Sequence, residues 1–306
     1  MSAVYDLEHI TTYRYANPVE FGKHRAIFLP SAGSHGRILS HSIGANIPVE
    51  VRWMMDTLSN NVALLQFEQP ASELAVTFRL RGEHFGYGAI AEFPLDTRAE
   101  EIPIQYTSDE WMDMMMYLRP HAEDPNGDLA TWAKGFVEGA NDRTLDVLQR
   151  MMDAINTGLT YQAREAEGTQ APSETLRLKS GTCRDYAWLM VEALRRLGLA
   201  CRFVSGYLYD AALDGGDVGM TGSGATHAWV QVYLPGAGWR NYDPTNRITA
   251  GFDLIPVAIA RHPSQVMPLA GSWFGNQGDY LGMEVKVSLR KLGSLPEFDR
   301  VDDLAG

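Results

Sequence analysis

Three side chains in the second half of the sequence have the types and local settings that acyl transfer requires: Cys183, His227 and Asp243. Cys183 follows Ser180-Gly181-Thr182 and opens a run in which Cys183, Ala187, Met190, Val191, Leu194 and Leu197 fall on one helical face. Thr182 or Ser180 supplies an N-cap, and Gly198 supplies a stop. The thiol is therefore expected in a first helical turn, where unpaired N–H groups and the helix dipole favour a thiolate. The same N–H groups can receive a developing oxyanion. His227 opens the run His227-Ala228-Trp229-Val230-Gln231-Val232-Tyr233-Leu234, whose alternation predicts a strand. Pro235-Gly236-Ala237-Gly238 turns the chain, and Trp239-Arg240-Asn241-Tyr242-Asp243 returns. This hairpin brings Asp243 back near His227, offset by a few residues. Nucleophile, base and orienting carboxylate would then stand in one line.

Other reactive residue types have plainer readings. Cys201 follows Gly198-Leu199-Ala200 at a strand start and reads as a small core hydrophobe. His9, His24, His35, His41, His84, His121 and His262 receive no role. Trp229, Trp239 and Tyr242 are interleaved with the candidate set and are read as walls around it or as core. The glycine-rich segment 210–225 lacks the regular oxygen-ligand spacing of a calcium loop and reads as a mobile loop beside the site. A zinc site built from Cys183, His227 and Asp243 lacks a visible pattern of residues to support the ligands, these residue types recur more often as a thiol triad in this order, and no metal is expected. The methionines at 112, 114, 115, 116 and 283 read as adaptable core filler.

The elements that must position this set sit in a chain of ordinary globular composition, 45% hydrophobic and 21% charged. Its formal net charge of −12 argues against a phosphate-backbone role and leans weakly towards basic substrates. No apolar stretch is long enough to span a bilayer, and the opening residues do not read as a signal peptide. With two cysteines and no zinc spacing, reduced thiols in a cytoplasm are the expectation. The first hundred residues read as strands: Tyr5, Leu7, His9, Thr11, Tyr13 and Tyr15 share one face, and Leu74, Val76, Phe78 and Leu80 another. A small β-sandwich is expected over 1–95. Residues 93–108 read as a linker, followed by helices near 109–118, 127–138 and 143–157. An α+β core is assigned to 96–275, and 276–306 forms a strand that can return to the N-terminal sheet.

Gly181-Thr182-Cys183-Arg184-Asp185-Tyr186-Ala187, Ser205-Gly206-Tyr207, Thr226-His227-Ala228-Trp229-Val230 and Asp243-Pro244-Thr245-Asn246 together resemble the core of the bacterial transglutaminase-like superfamily. Tyr13-Arg14-Tyr15 and Pro18-Val19 resemble the β-rich N-terminal region of one bacterial branch. Arg261-His262-Pro263 departs from the glycine-arginine-aspartate pattern of that family. The resemblance implies an α+β, papain-like core with Cys183 as nucleophile, His227 as general base and acid, and Asp243 as orienter, without a cofactor. The Cys183 N–H is expected in the oxyanion hole, supported by Tyr161, Gln162 or Thr182. Asp185, Tyr207, Trp229 and Trp239 are expected as pocket walls. The residue types point to attack on an amide of a peptide or protein through a thioester, and hydrolysis is favoured because water is abundant and nothing in the sequence announces a lysine-binding tunnel. Transfer to an amine and a catalytically silent binding module are the alternatives.

Overall fold

The computed structural model describes residues 2–31, 35–139, 142–162, 168–214, 220 and 225–293. The long strand Ala3–Phe21 is the spine of an antiparallel sheet. Ala71–His84 pairs along one side of it, with Gly36–Ala45 beyond, and Tyr280–Gly293 pairs along the other. A second antiparallel sheet runs in the order Leu269–Ala270, His24–Ala26, Asn61–Phe67, Val49–Met55. Period-two alternation sends Tyr5, Leu7, His9, Thr11 and Tyr15 to the buried side of the spine, as strand geometry dictates. The sheets meet through Phe28 against Phe78, with ring centroids 5.6 Å apart, and Phe21 against Phe67, also 5.6 Å apart.

The chain returns to these sheets from Leu269 onward. Leu269–Ala270 pairs with Arg25 and Ala26, Trp273–Phe274 with Glu20 and Phe21, and Tyr280–Gly293 with the spine from Val4 to Tyr15. The segment read as a linker is pinned rather than loose. Ala99, Ile102 and Ile104 are buried, and Arg98 bridges Asp96 and Glu110 at 2.8 and 2.7 Å. Arg98 ties the segment to itself and to the following helix while its apolar residues enter the core, which composition alone does not reveal.

Between the two passes lies the α+β core. Four antiparallel strands stand in the order Gly238–Tyr242, Thr226–Leu234, Cys201–Leu208, Leu254–Ala260. Against them packs the helix Cys183–Arg196, with the helices Asp128–Lys134, Thr144–Gly158 and Pro172–Leu178 around it. The sequence stripe predicts one buried face for the first of these. The structure buries nearly all of it, including Asp185, Glu192 and Arg195. Those charges are paired: Glu192 accepts from Arg195 at 2.8 Å, from Arg196 at 2.9 Å, and from the backbone N–H groups of His121 and Ala122. A buried carboxylate with four donors offsets its desolvation, which an isolated one does not.

The methionine reading needs correction. On the helix Ser108–Leu118, Trp111, Met112, Met115 and Met116 are exposed, as is Met283, while Met114 packs against Tyr117, Leu118 and Ala200. This short helix rests on the core by its last turn and Met114, so an apolar run covers more of its circumference than the contact can bury.

Candidate active site

Cys183 owes its position to a short ladder immediately upstream. Thr160–Tyr161 and Ser180–Gly181 form a parallel pair with Gly181 opposite Tyr161, extended by the Gln162 N–H donating to the Gly181 carbonyl at 3.0 Å. Thr182 is the N-cap residue, with extended backbone, and the first helical hydrogen bond runs from the Tyr186 N–H to its carbonyl. The Asp185 carboxylate reaches back to accept from the Thr182 N–H at 2.9 Å, the Thr182 hydroxyl at 3.0 Å and the Gln170 N–H at 2.6 Å. That clamp fixes the first turn, and with it the sulfur.

His227 lies opposite Gly206 in the register of its strand with Cys201–Leu208. Tyr242 pairs with Val230, so Asp243 emerges two residues short of His227 on the same face, and the imidazole leans across this diagonal. His227 Nε2 and Asp243 Oδ2 are 2.9 Å apart, and both side chains are fully buried. Asp243 also accepts from the Thr245 N–H at 2.8 Å and from Asn246 Nδ2 at 3.2 Å, so it cannot swing away. Trp229 stacks near the imidazole with centroids 6.1 Å apart.

With Nε2 engaged, Nδ1 is the nitrogen left for the thiol. It is buried without a well-aligned hydrogen bond, yet ring and sulfur act strongly on each other's protonation. Burial opposes charge on the imidazole, but Asp243 and then Cys183 outweigh it and raise the His227 pKa to about 10. Burial likewise opposes the thiolate, while His227, Arg184 and the Ala228 N–H together bring the Cys183 pKa below its usual value. Both shifts point to a thiolate–imidazolium pair. Cys201 moves the other way, pushed up by burial. The Tyr161 hydroxyl interacts with both the sulfur and the backbone N–H of Cys183.

The sulfur opens onto a cleft of about 850 Å³. One side carries Tyr161, Thr182, Cys183, Arg184 and Thr226 from the core. The other is supplied by the terminal regions: His9, Thr11, Tyr13 and Tyr15 from the spine strand, with Trp273, Tyr280, Met283 and Val285 from the returning chain. The spine residues went unassigned in the sequence, although their spacing at every second position from residue 9 to 15 was the available signal. His9 is held by Tyr207 at 3.0 Å and Thr11 at 2.9 Å, and burial lowers its pKa to about 4.

Of the candidate supports, Thr182 and Tyr161 border the sulfur, whereas Gln162 is exposed and contributes its backbone to the ladder. The four expected pocket walls stand elsewhere. Asp185 is the cap just described. Tyr207 turns to His9 and to a separate cavity of about 120 Å³. Trp229 lies behind the imidazole, donating to Asn241 at 3.0 Å. Trp239 packs on Tyr117, Tyr233 and the Arg202 guanidinium. Alternation places a strand residue on a face but not at a depth, and these side chains lie below the cleft floor or off to its side. Most of the loop expected over 210–225 lies outside the described residues, though Ala225 lines the cleft. Among the described residues, no group of three His, Cys, Asp or Glu side chains is arranged to hold a metal ion.

The likenesses of the chain agree with this construction. Residues 130–244 match the transglutaminase-like superfamily core, and residues 5–83 match the bacterial transglutaminase-like N-terminal region. A solved Cytophaga hutchinsonii chain described as a "putative cysteine protease" superposes with a TM-score of 0.71 over 97% of this chain and 93% of its own, at 17% identity, which is a likeness of fold. An uncharacterized Mycobacterium leprae protein is 38% identical over 35% of this chain and 37% of its own length. A Pseudomonas aeruginosa protein-glutamine gamma-glutamyltransferase is 34% identical over 23% of this chain and 10% of its own. The matches thus span less than half the length of these curated relatives. With residues 130–244 and 5–83 both matched, the chain belongs to the transglutaminase-like superfamily and carries the bacterial N-terminal region of that family.

Proposed function

We propose that this protein is a cysteine acyl-transfer enzyme that cleaves amide bonds of a peptide or protein, with water as the acceptor. The observation that carries the reading is the buried His227–Asp243 contact of 2.9 Å beside a thiol whose pKa is lowered by that same imidazole. In this reading the Cys183 thiolate attacks the carbonyl carbon. The tetrahedral oxyanion is received by the Cys183 N–H, which in the free site meets the Tyr161 hydroxyl, with that hydroxyl as the second donor once its proton turns to the oxyanion. Imidazolium His227 then protonates the departing nitrogen, the C–N bond breaks, and a thioester remains. Neutral His227 next takes a proton from water, which attacks the thioester and releases the acid and the thiolate. Asp243 keeps the ring oriented and stabilises its charged form in both steps.

The hydrolytic preference rests on the size of the cleft, whose 850 Å³ admits water alongside a peptide. The partial likeness to a protein-glutamine gamma-glutamyltransferase favours an amine acceptor instead. A glutaminyl peptide incubated with a labelled primary amine separates the two: acid release outrunning amine incorporation is expected, and the reverse order overturns hydrolysis. The peptide- or protein-binding module is tested by thiol labelling. An alkylation rate at pH 6 no faster for Cys183 than for Cys201 would favour it.

A further inference from the structure

The cleft has an unexpected charge. The chain is acidic overall, with a net charge of −12, yet no Asp or Glu is among the described residues that line the cleft. Its two histidines there, His9 and His24, are held towards the neutral form by burial. Arg184 is the one lining side chain among the described residues that carries a permanent charge. It follows the nucleophile directly and is partly buried.

All the partners of this guanidinium among the described residues are neutral. It donates to the Pro263 carbonyl at 3.0 Å and to the Thr169 hydroxyl at 3.4 Å, touches the Met267 sulfur at 3.8 Å, and lies over the Phe203 ring at 5.0 Å. No carboxylate among the described residues is within ion-pair distance of it. Its sequence neighbour Asp185 acts on it only at a distance, because that carboxylate is taken up by Thr182 and Gln170. In the free site the Cys183 thiolate offers a compensating negative charge. Acylation of the sulfur removes that charge and leaves the cation on the same cleft as the acyl group. A buried cation is tolerated when a counter-charge arrives, and a planar guanidinium is suited to a carboxylate.

We propose that Arg184 is a specificity-determining residue that receives a carboxylate of the substrate beside the scissile amide, so that the enzyme acts on acidic rather than basic peptides. The proposal rests on the reading of Cys183 as the nucleophile, and it reverses the lean towards basic substrates suggested by net charge.

Alkylation provides the test without a known substrate. Cys183 is modified at pH 6 with anionic iodoacetate and with neutral iodoacetamide, in the native protein, Arg184→Gln and Arg184→Lys, with thermal unfolding used to verify that each variant is folded. Both rates fall in Arg184→Gln, because the guanidinium also favours the thiolate, so the ratio of the two rates is the readout. The native iodoacetate-to-iodoacetamide ratio is expected to drop about tenfold in Arg184→Gln and to survive largely in Arg184→Lys. An unchanged ratio with a fast-reacting Cys183 overturns the carboxylate subsite alone, whereas a Cys183 as slow as Cys201 with both reagents overturns the nucleophile reading and the subsite with it. Peptides then distinguish the source of the carboxylate by protecting Cys183 from iodoacetamide. Protection by an acidic peptide with an amidated end assigns a side chain, and protection by a neutral peptide with a free end assigns the terminus. Equal protection by fully uncharged counterparts overturns the proposal.

Discussion

At the residue scale, the chemistry depends on where one proton resides. The folded His227 pKa is raised to about 10, above the ordinary value near 6.5. Its charged form therefore contributes stability that is fully present below the ordinary value and is lost as pH rises through about 10. The acid limit belongs to Cys183, whose depressed pKa keeps a thiolate available below the usual thiol range. Alkylation of Cys183 should thus remain fast at pH 6, where Cys201 is inert, and the acylation rate should fall on the alkaline side as His227 loses its proton. Mass-spectrometric rates for the two cysteines across pH check this. Asp243→Ala should lower the His227 pKa from about 10 and slow turnover by roughly 10²-fold or more, since the ring loses both its orientation and its counter-charge. A pH–rate profile of that variant should show its alkaline limb shifted to lower pH; a limb that stays in place would show that Asp243 does not set the imidazole's charge. Tyr161→Phe removes only the hydroxyl beside the Cys183 sulfur and N–H. If that hydroxyl receives the oxyanion, kcat should fall about 10²- to 10³-fold with KM little changed.

At the element scale, the site depends on close approach between layers. Gly206 pairs with His227, and a Cβ built on it would collide with the Ile255 carbonyl and the Trp229 ring. One neighbour is backbone and the other is a fully buried indole hydrogen-bonded to Asn241, so neither can yield cheaply. Gly206→Ala should cost about 1–3 kcal/mol of stability by overpacking and displace the imidazole, which denaturant unfolding and Cys183 alkylation measure together. The exposed helix methionines predict the opposite outcome: Met112→Gln should change stability by less than about 0.5 kcal/mol. These two cases show what the sequence made legible. The helix start at Cys183, the strand at His227 and the hairpin return to Asp243, 16 residues on, each follow from local signals. The Ser205-Gly206-Tyr207 motif was visible too, but the reason for its glycine lies in Ile255, about fifty residues away. Likewise, methionine spacing announces an apolar helix without saying how little of it a neighbour will cover. Depth and cover are properties of packing, and local patterns carry no record of them.

At the scale of the whole molecule, the cleft is a joint between distant parts of one chain, and this is why its second wall was illegible. The spine Ala3–Phe21 places His9, Thr11, Tyr13 and Tyr15 on the cleft shared with Cys183, while Tyr280–Gly293 flanks it and the segment from Leu269 pairs with the second sheet. Tyr15, Trp273 and Tyr280 pack ring against ring where these segments meet, with centroids 5.1 to 6.4 Å apart. The final described strand is thus both structural cover and cleft wall. Ending the chain after Asp279 removes the ladder partner of the spine from Val4 to Tyr15 and bares a long edge beside partly apolar side chains, a template for pairing with other chains. It also removes Tyr280, Met283 and Val285 from the cleft while leaving Cys183, His227 and Asp243 untouched. The truncated protein should self-associate in size-exclusion chromatography and unfold at lower temperature. A monomeric truncation with unchanged unfolding would show that the last strand only decorates the sheet. The milder substitution Val285→Gln keeps the ladder and alters the wall alone, removing apolar contact without adding charge. It should leave Cys183 alkylation by iodoacetamide near the native rate and weaken peptide protection of that thiol, which separates the strand's part in folding from its part in holding substrate.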